Sequence, residues 1–176
     1  MRSSAKFLRK LETQKCDVLS EVARLSSTQL RFRPQPGDWS ALDVLDHLVK
    51  VEESLLRTVR RHLPDGVAIS ARDRVGALLI TSVMLSPMRV KVPASASMVL
   101  PAATMDLPAI VASWSSVRDQ MANLLESLQP AQFRMGVFQH PVSGWMTMTD
   151  TLRFISAHLQ HHRYQLNRLK LAARAN

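Results

Sequence analysis

Three histidines, drawn from two distant stretches of the chain, have the residue type and spacing for metal chemistry. His158 and His162 stand four residues apart in Ser156-Ala157-His158-Leu159-Gln160-His161-His162-Arg163-Tyr164-Gln165-Leu166. On a helix both side chains leave the same face one turn apart, so two imidazoles can grip one ion. His47 lies in Trp39-Ser40-Ala41-Leu42-Asp43-Val44-Leu45-Asp46-His47-Leu48, beside the apolar set Val44, Leu48 and Val51 that a helix turns inward. His158 and His162 flank Leu159, also an inward position. Buried ring nitrogens need hydrogen bonds or a metal. The expectation is an open site of His47, His158 and His162, the ligand number used by catalytic metal centres; a hydrogen-bonded histidine cluster is the competing arrangement.

The remaining reactive side chains read differently. His161 is turned 100° from His162, which suits solvent or a supporting contact. His140, beside Pro141, reads as a turn residue that could reach over the site. His62, near a helix end, is expected exposed, where a basic group complements the negative end of the helix dipole. Asp46 is turned away from His47 by adjacency. Cys16, the one cysteine, falls in an amphipathic pattern and reads as a small structural residue. No His-Glu-x-x-His motif, serine elbow, glycine-rich phosphate loop or cysteine metal cluster occurs.

The elements that must position these residues are helices. Leu8, Leu11, Val18, Val22 and Leu25 recur at helical spacing from about Ser4 to Thr28, before Pro34, Pro36 and Gly37. Ser40 offers an N-cap with Asp43 three residues on, opening a second helix that runs to about Leu63 and stops at Pro64-Asp65-Gly66. A shorter segment, Ala71 to Leu85, places Val75, Leu78, Leu79 and Val83 in register. Pro87 to Pro108 is long for a connector and reads as a crossover wrapping the bundle. The third long helix, Leu107 to Leu128, has the cleanest stripe. A loop from Gln129 to Trp145 leads to the fourth, about Thr147 to Leu171. With no convincing strand, the pattern predicts an all-α four-helix bundle, whose facing helices commonly carry metal sites.

A chain of 176 residues with 46% hydrophobic and 21% charged content is globular, and residues 1–176 read as a single domain. No apolar run is long enough to span a bilayer and no apolar signal core follows the basic start, so a cytoplasmic protein without membrane association is expected. The net charge is +9, from 23 basic and 14 acidic residues, which favours acidic partners. The basic residues are scattered and lack interleaved stacking aromatics, so sequence-specific nucleic-acid binding is not expected.

Arg33-Pro34 through Trp39-Ser40, the His47 helix, the lead-in His140-Pro141…Gly144…Met146-Thr147 and His158-x-x-x-His162-x-x-Gln165-Leu166 together resemble the DinB-like superfamily, the DinB/YfiT-like metalloenzymes, over nearly the whole chain. The resemblance implies that His47, His158 and His162 form the metal triad, with zinc or nickel as the ion. It also implies an up-down-down-up bundle, with the long crossover between helices 2 and 3, and a homodimer. Activities in similar proteins include transfer of low-molecular-weight thiols to small electrophiles. The basic balance and the Pro87–Pro108 connector depart from the pattern, so the substrate does not carry over.

A metal site of this kind could ionise a thiol or activate water. The missing carboxylate base favours the thiol task, and the basic surface suits an acidic thiol. The expected function is therefore metal-dependent thiol transfer to a small molecule. A metal-dependent hydrolase and a non-catalytic stress or interaction protein, with the metal as a staple, are the alternatives.

Overall fold

The computed structural model describes residues 2–88, 90, 94–101 and 106–174. Among the described residues, six α-helices and one β-hairpin are formed: α1 (Arg2–Val22), α2 (Ser27–Arg31), α3 (Ala41–His62), α4 (Ala71–Met84), α5 (Leu107–Ser127), β1 (Gly136–His140), β2 (Gly144–Thr147) and α6 (Met148–Arg174). Short 3-10 turns cover Ala94–Val99 and Gln132–Arg134. The long helices α1, α3, α5 and α6 form a helical bundle. Its core includes Leu11 and Val18 of α1, Leu45, Leu48 and Leu55 of α3, Trp114 and Met121 of α5, and Leu152, Leu159 and Leu166 of α6.

Local chemistry accounts for where the helices begin. Ser40 accepts the Asp43 backbone N–H, and the Asp43 carboxylate accepts the Ser40 N–H at 2.7 Å, a reciprocal cap that the sequence pattern anticipates. Arg33 adds an ion pair to the same carboxylate at 2.8 Å. Ser70 and Asp73 repeat this cap on α4, and Asp106 caps α5 with proline in its first turn. The first helix ends at Val22, short of the expected Thr28. Ser26 starts α2 instead, through a box closed by Gln29.

Four further expectations need correction. The loop before the last helix contains the hairpin: β1 and β2 pair antiparallel, with Phe138 opposite Met146 and His140 opposite Gly144. These strands are too short for alternation to stand out, and two strands alone are marginal in water. They are held from outside. Val67 and Gly136 exchange backbone hydrogen bonds of 3.0 and 2.7 Å, and the Asp73 carboxylate accepts the Trp145 N–H at 2.9 Å. Gly144 has φ of +86°, and a side chain there would strike Asp73.

In α4, Val75, Leu78 and Leu79 point outward, while Ala77 and Met84 are buried. The segment is apolar on several sides, so periodicity could not choose the inward face. Cys16 is exposed, with its thiol 3.9 Å from Glu12 Oε1. His62 is half-buried: its Nδ1 lies 2.9 Å from the Thr58 carbonyl and its ring meets Trp145 edge-on.

Part of the predicted crossover, residues 89, 91–93 and 102–105, lies outside the described residues. The part that is described runs along α3. Lys50 donates to the Leu100 carbonyl at 2.9 Å, and Ser54 contacts the Met98 sulfur at 3.8 Å.

Candidate metal centre

Helix α3 brings His47, and α6 brings His158 and His162, to one point between them. The Nε2 atoms of His47 and His162 lie 3.3 and 3.1 Å from His158 Nε2, and one ring nitrogen from each histidine falls within 4.8 Å of the others. Nitrogens bound to a zinc ion at about 2.1 Å, in tetrahedral arrangement, stand about 3.4 Å apart, so two of the three separations already match a loaded site. The side chains are enclosed: His47, His158 and His162 are 2%, 9% and 6% exposed.

The outer nitrogens determine what the inner ones can do. His47 Nδ1–H donates to the Val99 carbonyl at 2.8 Å. His162 Nδ1–H donates to Gln165 Oε1 at 2.8 Å. Each neutral ring then carries no hydrogen on Nε2, so two lone pairs face His158 Nε2. One N–H on His158 can serve only one of them. A proton cannot readily fill the gap, because burial lowers the pKa of His47 to about 4. Burial, with neighbouring His47, lowers His162 to about 3. Burial followed by the other two rings holds His158 well below the ordinary histidine value. The arrangement fits a divalent cation, which would engage the inward ring nitrogens of all three histidines without charging a buried ring.

Aromatic side chains close the site. The Trp39 ring centre is 4.8 Å from that of His47 and 6.3 Å from that of His162, and Phe154 stacks on His158 at 5.6 Å and 19°. Trp39 and Phe154 had no distinctive spacing in the sequence. Trp39 stands immediately before the capping serine of α3, which was the available signal.

His161 is buried, contrary to the expectation of solvent, although a supporting contact was the other reading. Its Nδ1 faces the Ser86 carbonyl at 3.3 Å, joining α6 to the chain just after α4. His140 sits at the end of β1, and its Nδ1 accepts the backbone N–H groups of Val142 and Ser143, both at 3.2 Å. Its ring meets Phe154 edge-on at 5.0 Å, and burial lowers its pKa to about 4. It is thus a turn-fixing residue next to the aromatic wall. Asp46 is buried and ion-paired to Lys50 at 3.0 Å.

A second buried polar group went unnoticed in the sequence. Glu52 of α3 accepts the Trp114 indole N–H at 3.1 Å and forms an ion pair with Arg118 of α5 at 2.6 Å. Only the joining of α3 to α5 reveals it, since the partners are 62 and 66 residues apart.

A helical bundle carrying three convergent imidazoles on two facing helices defines the class. The DinB superfamily model matches residues 10–166, and the chain belongs to that family. Among solved structures, one similar chain is described as "YfiT from Bacillus subtilis is a probable metal-dependent hydrolase with an unusual four-helix bundle topology". It has 19% identity and a TM-score of 0.60, over 95% of this chain and 85% of that one. A second, TT2238, described as a four-helix bundle protein, has 18% identity and a TM-score of 0.56, over 93% of this chain and 97% of that one. At these identities the likeness establishes the four-helix-bundle fold. A search of curated proteins finds no match.

Proposed function

We propose that this chain is a metal-dependent small-molecule enzyme in which His47, His158 and His162 hold a divalent ion, zinc or nickel, and that its reaction is thiol transfer to an electrophile. The observation that carries the reading is the pair of fixed tautomers: Val99 and Gln165 each hold an outer N–H, leaving inner lone pairs aimed at one point. A divalent ion bound there supplies Lewis acidity that lowers the pKa of a thiol or water molecule at an open coordination position.

The protein's own groups orient and enclose. The Val99 carbonyl and Gln165 set the ring planes, and Trp39 and Phe154 pack against the imidazoles. The one carboxylate adjacent in sequence, Asp46, is engaged with Lys50. That favours a substrate that loses its proton without a general base, as a thiol does. The net charge of +9 suits an acidic thiol.

A hydrolase is the second reading, supported by the description of YfiT. The reading further takes residues 1–176 as one cytoplasmic unit, with the up-down-down-up arrangement and, of the crossover, the turn Ala94–Val99 beside the site. It assigns no sequence-specific nucleic acid and no membrane as partner.

The test pairs candidate low-molecular-weight thiols with small electrophiles, using untagged zinc- or nickel-loaded protein and its His47→Ala variant. Thiol-dependent consumption that falls at least about 100-fold in the variant is expected. Turnover of ester or amide substrates without thiol would favour the hydrolase. Equal turnover by both proteins would remove the triad from the mechanism. Stoichiometric metal without turnover of any substrate would favour the staple.

A further inference from the structure

The basic residues of α6 divide by what they face. On the side that packs against α1, Arg163 reaches Asp17 and Glu21 at 3.6 and 2.7 Å, and Lys170 reaches Glu21 at 2.6 Å. Arg153 pairs with Asp150 at 3.3 Å. Arg168 is half-buried and forms no ion pair among the described residues. By helix phase it is turned away from α1 and stands on the face of His161, about two turns further along. Burial is the first cause of the lowered pKa of His161 and His162, and the positive charge of Arg168 contributes at both rings. A guanidinium with that influence is within electrostatic reach of the metal centre.

Gln165 lies between Arg168 and the triad. Its Oε1 accepts the His162 Nδ1–H at 2.8 Å, which turns the amide nitrogen away from the ring. That nitrogen donates to no group among the described residues, and Gln165 is half-buried. Gln165 and Arg168 are three residues apart and so are neighbours on the helix surface. Side chains on a helix lean toward its N-terminus, so Arg168 leans back over the turn that holds Gln165 and His161.

We propose that Arg168 and the Gln165 amide form an anion-binding subsite beside the metal centre, and that the thiol substrate places a carboxylate there. The inference rests on the reading of the triad as a metal centre open to a thiol. A carboxylate offers two acceptor oxygens, and the amide N–H and the guanidinium supply donors for both. Arginine suits the task, since it stays charged and presents its donors in a fixed plane. An imidazole ring and a hydrogen bond separate the ion from the Gln165 amide. The carboxylate must therefore stand several bonds from the sulfur, which selects extended acidic thiols over the shortest ones.

Cobalt-loaded protein tests this without turnover, because a thiolate that joins the ion adds a charge-transfer absorption. Titrations with mercaptohexanoate and with its uncharged isostere mercaptohexanamide give two dissociation constants. Wild-type protein is expected to bind the acid at least about 10-fold more tightly than the amide. Arg168→Met should bring the ratio close to one, and Arg168→Lys should restore part of it. Gln165→Glu keeps an acceptor for the His162 N–H but replaces the donor by a like charge, so it should reverse the preference. Arg174 is exposed and turned away from Arg168 by helix phase. Arg174→Met removes the same unit charge and should change the ratio by less than about 2-fold.

Equal binding of acid and amide by wild-type protein would overturn the subsite. So would a preference indifferent to Arg168→Met, or one lost equally in Arg174→Met, which would assign it to net charge alone. A charge-transfer band with neither thiol would overturn the thiol reading, and the subsite with it.

Discussion

His161 and His162 are neighbours in sequence, both are buried, and they face different partners. The Nδ1 of His162 is tied to Gln165 and its Nε2 meets His158; His161 looks to the Ser86 carbonyl. Isothermal titration with zinc should therefore separate them. His158→Ala and His47→Ala each remove an inner nitrogen and should weaken binding at least about 100-fold, while His161→Ala should change it by less than about 3-fold. Gln165→Ala leaves the ligand set intact but frees the His162 ring and its tautomer, so a loss of about 10- to 100-fold is expected. Equal losses in His158→Ala and His161→Ala would count against the triad. The sequence reading put His161 aside by helix phase, and phase does describe its direction. What phase could not show is that the chain after α4 lies there and buries it.

Between α3 and α5 the link is ionic. Glu52 is 2% exposed and Arg118 5%, and the indole of Trp114 donates to the same carboxylate. Removing one partner leaves a buried charge, so Arg118→Met should cost about 3–5 kcal/mol in urea unfolding. The double variant Glu52→Leu/Arg118→Met removes both charges and should recover most of that loss. If the double variant is as unstable as the single, packing of the Arg118 stem against Trp114 matters more than charge. At the start of α3, Ser40→Ala deletes a cap with a buried partner and should cost about 0.5–2 kcal/mol. That helix carries His47, so its zinc affinity should be measured too; unchanged affinity would show that the first turn does not position the ring.

For the molecule as a whole, the buried histidines govern acid stability. His47 and His140 are lowered to about 4 and His162 to about 3, while His158 and His161 are also lowered. Unfolded chains take up these protons near the ordinary value of about 6.5. Below that pH the unfolded state binds more protons than the fold does, so stability falls with falling pH until the folded values are reached. Each such group contributes up to about 1.4 kcal/mol per pH unit. Metal-stripped protein should be at full stability above pH 6.5 and lose on the order of several kcal/mol by pH 4 to 5. Urea melts at pH 7.5, 6.0 and 5.0 check this; equal midpoints would mean the histidines are solvated.

The sequence alone determined what depends on short range. The four-residue spacing of His158 and His162 decides that they share a face, and Ser40 with Asp43 decides where α3 starts, because one helical turn contains each relation. The apolar stripes of α3, α5 and α6 likewise repeat within a few residues. The tertiary structure decided what joins distant segments. His47 meets His158 across 111 residues and donates to the Val99 carbonyl across 52, and no local period encodes either contact. The hairpin escaped because its strands are held by Val67 and Asp73, which are far away in sequence. Helix α4 shows the limit most directly: periodicity found the helix, but an all-round apolar segment leaves its inward face undetermined until α6 and β2 take one side.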